Sequence, residues 1–294
     1  MDRSRHLRTA WFARAAILFA PALMLPGCGS SSTAPNASYD SLYPKPAPDR
    51  PLIAYFLSPP AGSADLRFGI HVLDTSARTD RLVLAGSVNS YDWIPGSDTL
   101  VVCSGGRIMT LDLATLRRAN LAIHESYNCS VSSDGAKIAF DATGPIGSAV
   151  FVLDRRNGTI TNITPDSMVY QFPAWVGPTD QLVVVGTSPT ASGLYFLTPS
   201  GAPRRRLTSS GVDTRFPTTS ASGDSLLWAQ GSTTQNRQLV LADTASVTQR
   251  NLAPCFNSGT WLPLPDQAVY NAPTSNGARL YTIDLVTGVS TPLQ

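Results

Sequence analysis

Five aspartates at matching positions are the residues of this 294-residue chain that first suggest chemistry. Each ends a hydrophobic run, and one apolar residue follows nine positions later. Repeated carboxylates are potential metal ligands. Their identical place in every copy instead favours a turn in which each carboxylate accepts hydrogen bonds from nearby backbone N–H groups. The pairs are Asp74/Val83, Asp112/Leu121, Asp154/Ile163, Asp243/Leu252 and Asp284/Leu293, and Thr198/Leu207 keeps the spacing without the carboxylate.

Residues for acid–base or nucleophilic catalysis are scarce. The three histidines are His6 near the N-terminus, His71 in an alternating run that predicts a strand, and His124 in a connection. The sequence contains no nucleophile elbow, zinc-protease motif, phosphate-binding loop or calcium loop. We therefore assign no catalytic residue, no metal site and no cofactor, and a protein without enzymatic activity is favoured. Carboxylates from separate repeats that meet in a channel remain an open alternative.

The spacing of the aspartates predicts the elements that must position any site. The copies recur every 38 to 45 residues, whereas the nine-residue offset is constant. A fixed short offset inside a looser long period is expected for repeated β-hairpins, because turn geometry sets the register. Four short strands in about forty residues are typical of a propeller blade. We predict an all-β fold, a six-bladed β-propeller of four-stranded blades, over residues 43–294.

Binding residues are expected in the loops that gather on one face of such a propeller, around its central channel. These loops join one blade to the next, or the second strand of a blade to the third. Aromatic rings beside polar groups suit a peptide or a sugar. The alternative is that the aromatic residues only pack between blades. The candidate residues are His124, Glu125, Tyr127, Tyr170, Arg215 and Phe256.

The repeat resembles that of TolB-type propellers, which are also described as WD40-like. Matching segments are Ser132-Ser133-Asp134-Gly135, Phe172-Pro173-Ala174-Trp175 and Arg205-Arg206-Leu207-Thr208. The resemblance covers nearly all of the chain after the N-terminal segment, and it marks a fold. Proteins with this repeat include envelope scaffolds, propeller domains of peptidases and lyases, so the resemblance implies several functions.

The N-terminal segment has the layout of an export signal. Four arginines precede an uncharged run from Ala15 to Gly27, which is too short to span a bilayer as a helix. The sequence Leu25-Pro26-Gly27-Cys28 resembles a bacterial lipobox, which implies a lipoprotein signal peptide over 1–27 and lipidation of Cys28. Several acyl chains would attach the protein durably. An ordinary signal peptide or an uncleaved anchor is the alternative. Residues 28–42 are predicted to form a flexible tether.

Charge and cysteine content narrow the remaining possibilities. The leader contains four of the arginines and one aspartate, so its removal changes a net charge of +2 to about −1. A body of this charge lacks the basic field that nucleic-acid binding needs.

The cysteines after Cys28 are Cys103, Cys129 and Cys255. An exported compartment permits one disulfide, and Cys103 with Cys129 on neighbouring repeats is the preferred pair. Buried free thiols fit equally well.

The sequence therefore predicts a monomeric propeller in the cell envelope, anchored to the outer membrane by lipid alone and facing the periplasm. Its predicted role is protein binding or scaffolding, with an envelope protein or peptide as partner. A carbohydrate-binding or polysaccharide lyase-like protein that uses the channel is the alternative, with a glycan as ligand. A structural propeller without a dedicated ligand is a third possibility.

Overall fold

The computed structural model describes residues 39–60, 66–164, 168–198, 205–208, 211, 213–233, 237–246 and 248–293. The predicted leader, Cys28 and most of the tether lie outside these residues. Within the described part of the chain, no helix is long and apolar enough to cross a membrane. The first strand begins at Asp40, slightly before the boundary predicted at residue 43.

The protein is all-β and forms six antiparallel sheets of four strands, arranged as a β-propeller, which confirms the predicted fold class. The second strand of each blade is largely apolar. In chain order the blades are β1 Asp40–Pro46, β2 Leu52–Ser58, β3 Gly69–Asp74, β4 Thr79–Ala85; β5 Ser90–Trp93, β6 Thr99–Ser104, β7 Arg107–Asp112, β8 Arg118–Ile123; β9 Cys129–Val131, β10 Lys137–Gly144, β11 Gly147–Asp154, β12 Ile160–Asn162; β13 Val169–Trp175, β14 Leu182–Ser188, β15 Ala191–Leu197, β16 Arg205–Arg206; β17 Thr214–Thr219, β18 Ser225–Gln230, β19 Gln238–Asp243, β20 Gln249–Pro254; and β21 Gly259–Trp261, β22 Gln267–Thr274, β23 Gly277–Asp284, β24 Ser290–Pro292.

The repeated aspartates hold the turns between third and fourth strands. Asp74 Oδ1 accepts hydrogen bonds from the N–H groups of Ser76 and Ala77 at 2.9 and 2.8 Å. Asp284 Oδ1 accepts the corresponding bonds from Val286 and Thr287 at 2.9 and 2.7 Å. These backbone bonds hold the pKa of both carboxyl groups below the usual value. The turn interpretation is confirmed. No group of three His, Cys, Asp or Glu among the described residues is placed to hold a metal ion.

Each pair of neighbouring blades shares one apolar core, because the second and third strands bury both faces of their sheet. The largest fully buried side chains include Trp228, Tyr55 and Phe140. Six separate clusters fill the six seams around the ring. Side chains pack to crystal-like density in such cores, so the inner strands are held in fixed positions around the channel.

The ring closes without a strand shared between the two ends of the chain. Blade 1 and blade 6 each contain their own four strands. The closing seam is packed by Ile53, Tyr55 and Leu73 from one side and by Val269 and Leu280 from the other. Asp40 Oδ1 accepts the N–H of Ala278 at 2.7 Å, and Arg279 donates to the Tyr39 carbonyl.

Candidate binding site in the central channel

A cavity of about 310 Å³ occupies the central channel, where the first strands of the six blades converge. Pockets of this size bind small ligands or a few side chains. All six blades contribute to its wall, so a ligand in this cavity could contact every blade. The lining residues are Tyr43, Pro44, Lys45, Phe56, Val88, Asn89, Ser90, Tyr91, Asn128, Cys129, Phe172, Pro173, Phe216, Pro217, Thr218, Ser258, Gly259 and Thr260.

Three of the six first strands carry the same irregularity, an aromatic residue followed by proline. The pairing register shifts at Tyr43-Pro44, Phe172-Pro173 and Phe216-Pro217. The aromatic residues have φ values of 52°, 54° and 52°, in the left-handed region. Proline has no backbone N–H to donate. It is accommodated here because a bulge residue in an edge strand makes no hydrogen bond to the neighbouring strand. β-Bulges redirect side chains, and here they direct aromatic rings to the channel.

The three bulges bring their rings together on one side of the cavity. The ring centroids of Phe172 and Phe216 are 4.5 Å apart, and those of Tyr43 and Phe216 are 5.2 Å apart. A non-glycine residue in this backbone region costs about 1–3 kcal/mol, and such strain concentrates at binding and catalytic sites. The repeated strain therefore marks this cavity as the candidate functional site.

A buried carboxylate connects the polar side of the cavity to this aromatic side. Asp141 in β10 is completely buried. Its Oδ1 accepts the N–H of Asn128 at 2.6 Å, and its Oδ2 accepts the N–H of Phe172 at 3.0 Å. Burial raises the pKa of Asp141, and the hydrogen bonds from Asn128 and Phe172 oppose that rise. Asp141 therefore positions both a polar lining residue and one of the bulged rings.

Two arginines lie beside the channel, between blades 5 and 6. Arg215 directly precedes Phe216, and its Nε donates to Asp213 Oδ1 at 3.2 Å. Arg237 is only 6% exposed, and its Nη1 donates to Asn257 Oδ1 at 2.9 Å. Burial raises the pKa of Tyr43, while the charges of Arg237 and Arg215 oppose the rise. Both cations thus act on a ring that lines the cavity.

None of the six residues predicted from the sequence lines this cavity. His124 packs against the rings of Phe140 and Phe151, with both centroid distances 5.1 Å. Glu125 accepts hydrogen bonds from the hydroxyl groups of Thr143 and Tyr127, both at 2.8 Å, which lower the pKa of Glu125. The structure therefore brings Glu125 and Tyr127 together, in the connection between blades 2 and 3.

The other predicted residues lie in two further places. Tyr170 is completely buried in the core between blades 3 and 4, as in the packing alternative. Phe256 is half-buried, its N–H donates to the Asn271 carbonyl at 2.8 Å, and its own carbonyl accepts a bond from Arg237. Both Arg215 and Phe256 lie near Arg237: the charge of Arg215 repels that of Arg237, and the Phe256 carbonyl accepts the hydrogen bond from Arg237.

Sequence reasoning missed the residues that form the centre of the site. Tyr43, Phe172 and Phe216 were not selected, nor were Asp141 and Arg237. A signal for the rings was present, because an aromatic–proline pair precedes three second strands, with the proline eight or nine residues before the strand begins. No comparable signal marked Arg237, whose burial depends on tertiary packing.

The preferred disulfide is absent, which corrects that prediction: Cys103, Cys129 and Cys255 are free thiols, and all three are buried. Cys129 does contact Cys103, and this contact together with burial raises the pKa of the Cys129 thiol well above its usual value. Burial raises the pKa of Cys255 to about 12. Thiols that stay protonated in an apolar core are poor substrates for oxidation.

A second cavity, of about 490 Å³, lies at the seam between blade 1 and blade 6. Its wall is largely apolar and includes Pro48, Pro51, Leu262, Leu264 and Leu293. Among the described residues only these two blades contribute to it, and none of its lining residues has a positive φ. Its wall also has fewer polar side chains than that of the channel, so it is the weaker candidate site.

Comparison with known proteins places the fold among solved propellers. No family model matches the sequence, and no curated protein is significantly similar to it. TolB from Acinetobacter baumannii has 18% sequence identity and a TM-score of 0.66 over 86% of this chain. A putative TolB from Agrobacterium tumefaciens has 17% identity and a TM-score of 0.65 over 76% of this chain and 87% of its own.

A lyase with the same architecture is also similar. An oligogalacturonate lyase in complex with manganese has 16% identity and a TM-score of 0.61 over 88% of this chain and 79% of its own. The present chain spans 62% of the length of the Acinetobacter TolB. At these identities the likeness extends to the fold alone, which is the TolB-type six-bladed β-propeller.

Proposed function

We propose that this protein is a binding module of the cell envelope that holds a protein partner by a short segment inserted into its central channel. The observation that carries the proposal is the convergence of three strained aromatic–proline bulges on one cavity. Strain of this kind persists only where the surrounding structure maintains it. A structural propeller without a ligand would have no need of three such bulges directed at the same space.

The dimensions of the cavity favour a segment of a partner over a whole protein surface. A volume of about 310 Å³ accepts a few side chains. Apolar contact with Phe172 and Phe216, together with hydrogen bonds to Ser90 and Asn128, suits a peptide that is partly apolar and partly polar. Rigid aromatic anchors lose little conformational entropy on binding, which favours affinity.

The proposed location rests on the N-terminal segment. The lipobox-like sequence Leu25-Pro26-Gly27-Cys28 supports export and lipidation at Cys28. Gly29 follows Cys28 where inner-membrane lipoproteins carry aspartate, which favours the outer membrane. In this arrangement residues 28–42 serve as the tether, and the propeller faces the periplasm as a monomer. The fold likeness to two TolB proteins is consistent with this setting.

A carbohydrate ligand is the second candidate. The likeness to an oligogalacturonate lyase favours it, and aromatic rings in a channel also bind sugars. That lyase was solved with manganese, whereas the described residues of this chain contain no comparable cluster of metal-ligating side chains. The proposal under this alternative is therefore a glycan binder rather than a manganese-dependent lyase.

The experiment that tests the proposal is crosslinked affinity capture of the full-length protein from its native envelope, read by mass spectrometry. Phe216→Ala removes a ring of the cavity, and Tyr281→Ala is the matched control, because Tyr281 is a half-buried aromatic outside the cavity. We expect one discrete partner with wild type and Tyr281→Ala, and its loss with Phe216→Ala. Cys28→Ala should reduce capture by releasing the protein from the membrane. Equal capture by a folded Phe216→Ala variant would contradict the channel as the site.

A further inference from the structure

Arg237 is a buried cation whose contacts are neutral. Its Nε donates to the Gly231 carbonyl at 3.4 Å, and its Nη1 donates to the Phe256 carbonyl at 3.3 Å and to Asn257 Oδ1 at 2.9 Å. Asp213 is close enough for its charge to act on Arg237, but its ion pair is with Arg215. Buried charges are normally paired, because an uncompensated charge loses its hydration without gaining a partner of opposite sign.

Buried donors without partners lie in the same two blades as the contacts of this arginine. Of the five buried side-chain polar atoms in the described chain that lack a hydrogen bond, three are in blades 5 and 6: Thr214 Oγ1, Ser258 Oγ and Asn271 Nδ2. Thr214 adjoins Arg215, and Ser258 adjoins Asn257 and donates its N–H to Asn271 Oδ1 at 2.9 Å. Each unpaired atom can donate a hydrogen bond, and unpaired buried groups in native proteins require an explanation.

The local charge also favours an anion. Arg215 and Arg237 contribute two positive charges, and Asp213 contributes one negative charge through its contact with Arg215. The region retains a positive excess although the body of the protein is close to neutral. Guanidinium groups bind carboxylates through two parallel hydrogen bonds, and low local polarity strengthens such contacts.

We propose that Arg215, Arg237 and the neighbouring unpaired donors of Thr214, Ser258 and Asn271 form a carboxylate-binding site at the blade 5–blade 6 edge of the channel. This inference rests on the proposed function and deepens it: the partner segment is an acidic peptide, whose carboxylate binds at this edge while an apolar side chain enters the cavity. Phe216, which follows Arg215 in sequence, links the two parts of the site.

The ring geometry favours a peptide over an acidic sugar. A pyranose stacks on an open, flat ring face, but the ring of Phe216 is packed at 57° to Tyr43 and at 60° to Phe172. The three rings therefore pack against one another at steep angles, which reduces the open face of each. Such a cluster, with the prolines beside it, suits an aliphatic or aromatic side chain.

The test uses the full-length protein in detergent and two peptides that differ in one group, acetyl-Ala-Phe-Glu-Ala-amide and acetyl-Ala-Phe-Gln-Ala-amide. Calorimetry or protein NMR measures both dissociation constants. We expect the Glu peptide to bind at least about tenfold more tightly, since hydrogen bonds to charged groups contribute about 1.5–3 kcal/mol. Arg215→Gln and Arg237→Gln should each bring the ratio close to one. Arg205→Gln, an exposed arginine on the outer strand β16, makes the same charge change and should leave the ratio unchanged.

Folding of each variant is checked by its melting curve, and the half-exposed Arg215 keeps the test valid if Arg237→Gln does not fold. Equal binding of the two peptides, binding of neither, or a ratio that persists in Arg215→Gln would overturn the inference. Arg215-dependent binding of digalacturonate without binding of the Glu peptide would overturn the acidic-peptide assignment. If the two peptides bind equally but partner capture still depends on Phe216, this inference alone is rejected. If partner capture does not depend on Phe216, the proposed function is rejected.

Discussion

His71 in β3 shows how single titratable groups in this protein serve the fold. It is 4% exposed, its Nδ1 lies 2.9 Å from Asp80 Oδ2, and its Nε2 lies 2.7 Å from the Arg67 carbonyl oxygen. Both partners are acceptors, so both ring nitrogens must donate, which only the imidazolium form can do. Burial alone lowers the pKa of His71, but the hydrogen bonds to Asp80 and Arg67 raise it above the usual value.

This raised pKa predicts a pH-dependent contribution to stability. A group whose pKa is higher in the folded state stabilises fully below its unfolded value, about 6.5 for histidine, and loses that contribution as the pH rises through its folded value. His71→Gln should therefore cost about 1.5–3 kcal/mol at pH 5.5 and less at pH 8.5. Urea unfolding at the two pH values measures the difference. Asp80→Asn should also cost more free energy of unfolding at pH 5.5 than at pH 8.5. A cost that does not change with pH would contradict the charged state.

At the scale of strands, alternate seams of the ring are joined by tryptophan. Trp93, Trp175 and Trp261 end the first strands of blades 2, 4 and 6. Each indole N–H donates to a backbone carbonyl of the first strand in the preceding blade, and the acceptors are Lys45 at 2.6 Å, Ser130 at 3.0 Å and Thr218 at 3.5 Å. The other seams use different contacts, such as the Val131 N–H to Asp92 Oδ2 at 2.9 Å.

The tryptophan contacts differ in length and burial, which predicts unequal effects of one substitution. Trp175 is 6% exposed and its bond is 3.0 Å long, whereas Trp261 is half-buried with a bond of 3.5 Å. Trp175→Phe should lower the free energy of unfolding by about 1–3 kcal/mol, because it leaves a buried carbonyl without this donor. Trp261→Phe should cost clearly less. Denaturant unfolding compares the two, and equal losses would show that the indole hydrogen bond is not the source of the effect.

Some features of the strands could be predicted from the sequence and others could not. The Asp-and-apolar pairs predicted the blades, because hairpin register is a local property of turn chemistry. The bulges at Phe172-Pro173 and Phe216-Pro217 were not predicted, since a shift of register depends on a φ value that residue identity does not reveal. The positions of Asp141 and Arg237 were also out of reach, because their burial depends on contacts with other strands and connections that the sequence pattern does not mark.

At the scale of the whole molecule, the ring is closed by packing and a few hydrogen bonds. The bond from the Ala278 N–H to Asp40 connects the two ends of the described chain, with Tyr55, Val269 and Leu280 in the core of the seam. The channel lies at the centre of this closed ring, so its wall is supported by all six seams. A rigid wall of this kind preorganises the rings and polar groups for a ligand and reduces the entropy lost on binding.

Site-specific photocrosslinking can show whether a partner segment enters the channel. Benzoylphenylalanine would be incorporated at position 216 in the cavity and, as the control, at position 281 in the third strand of blade 6. The full-length protein would be irradiated in its native envelope, and the crosslinked peptide would be sequenced. We expect one partner segment crosslinked from position 216, containing Asp or Glu near the attachment point, and none from position 281. The same crosslinks from both positions, or none from position 216 in a folded protein, would contradict it.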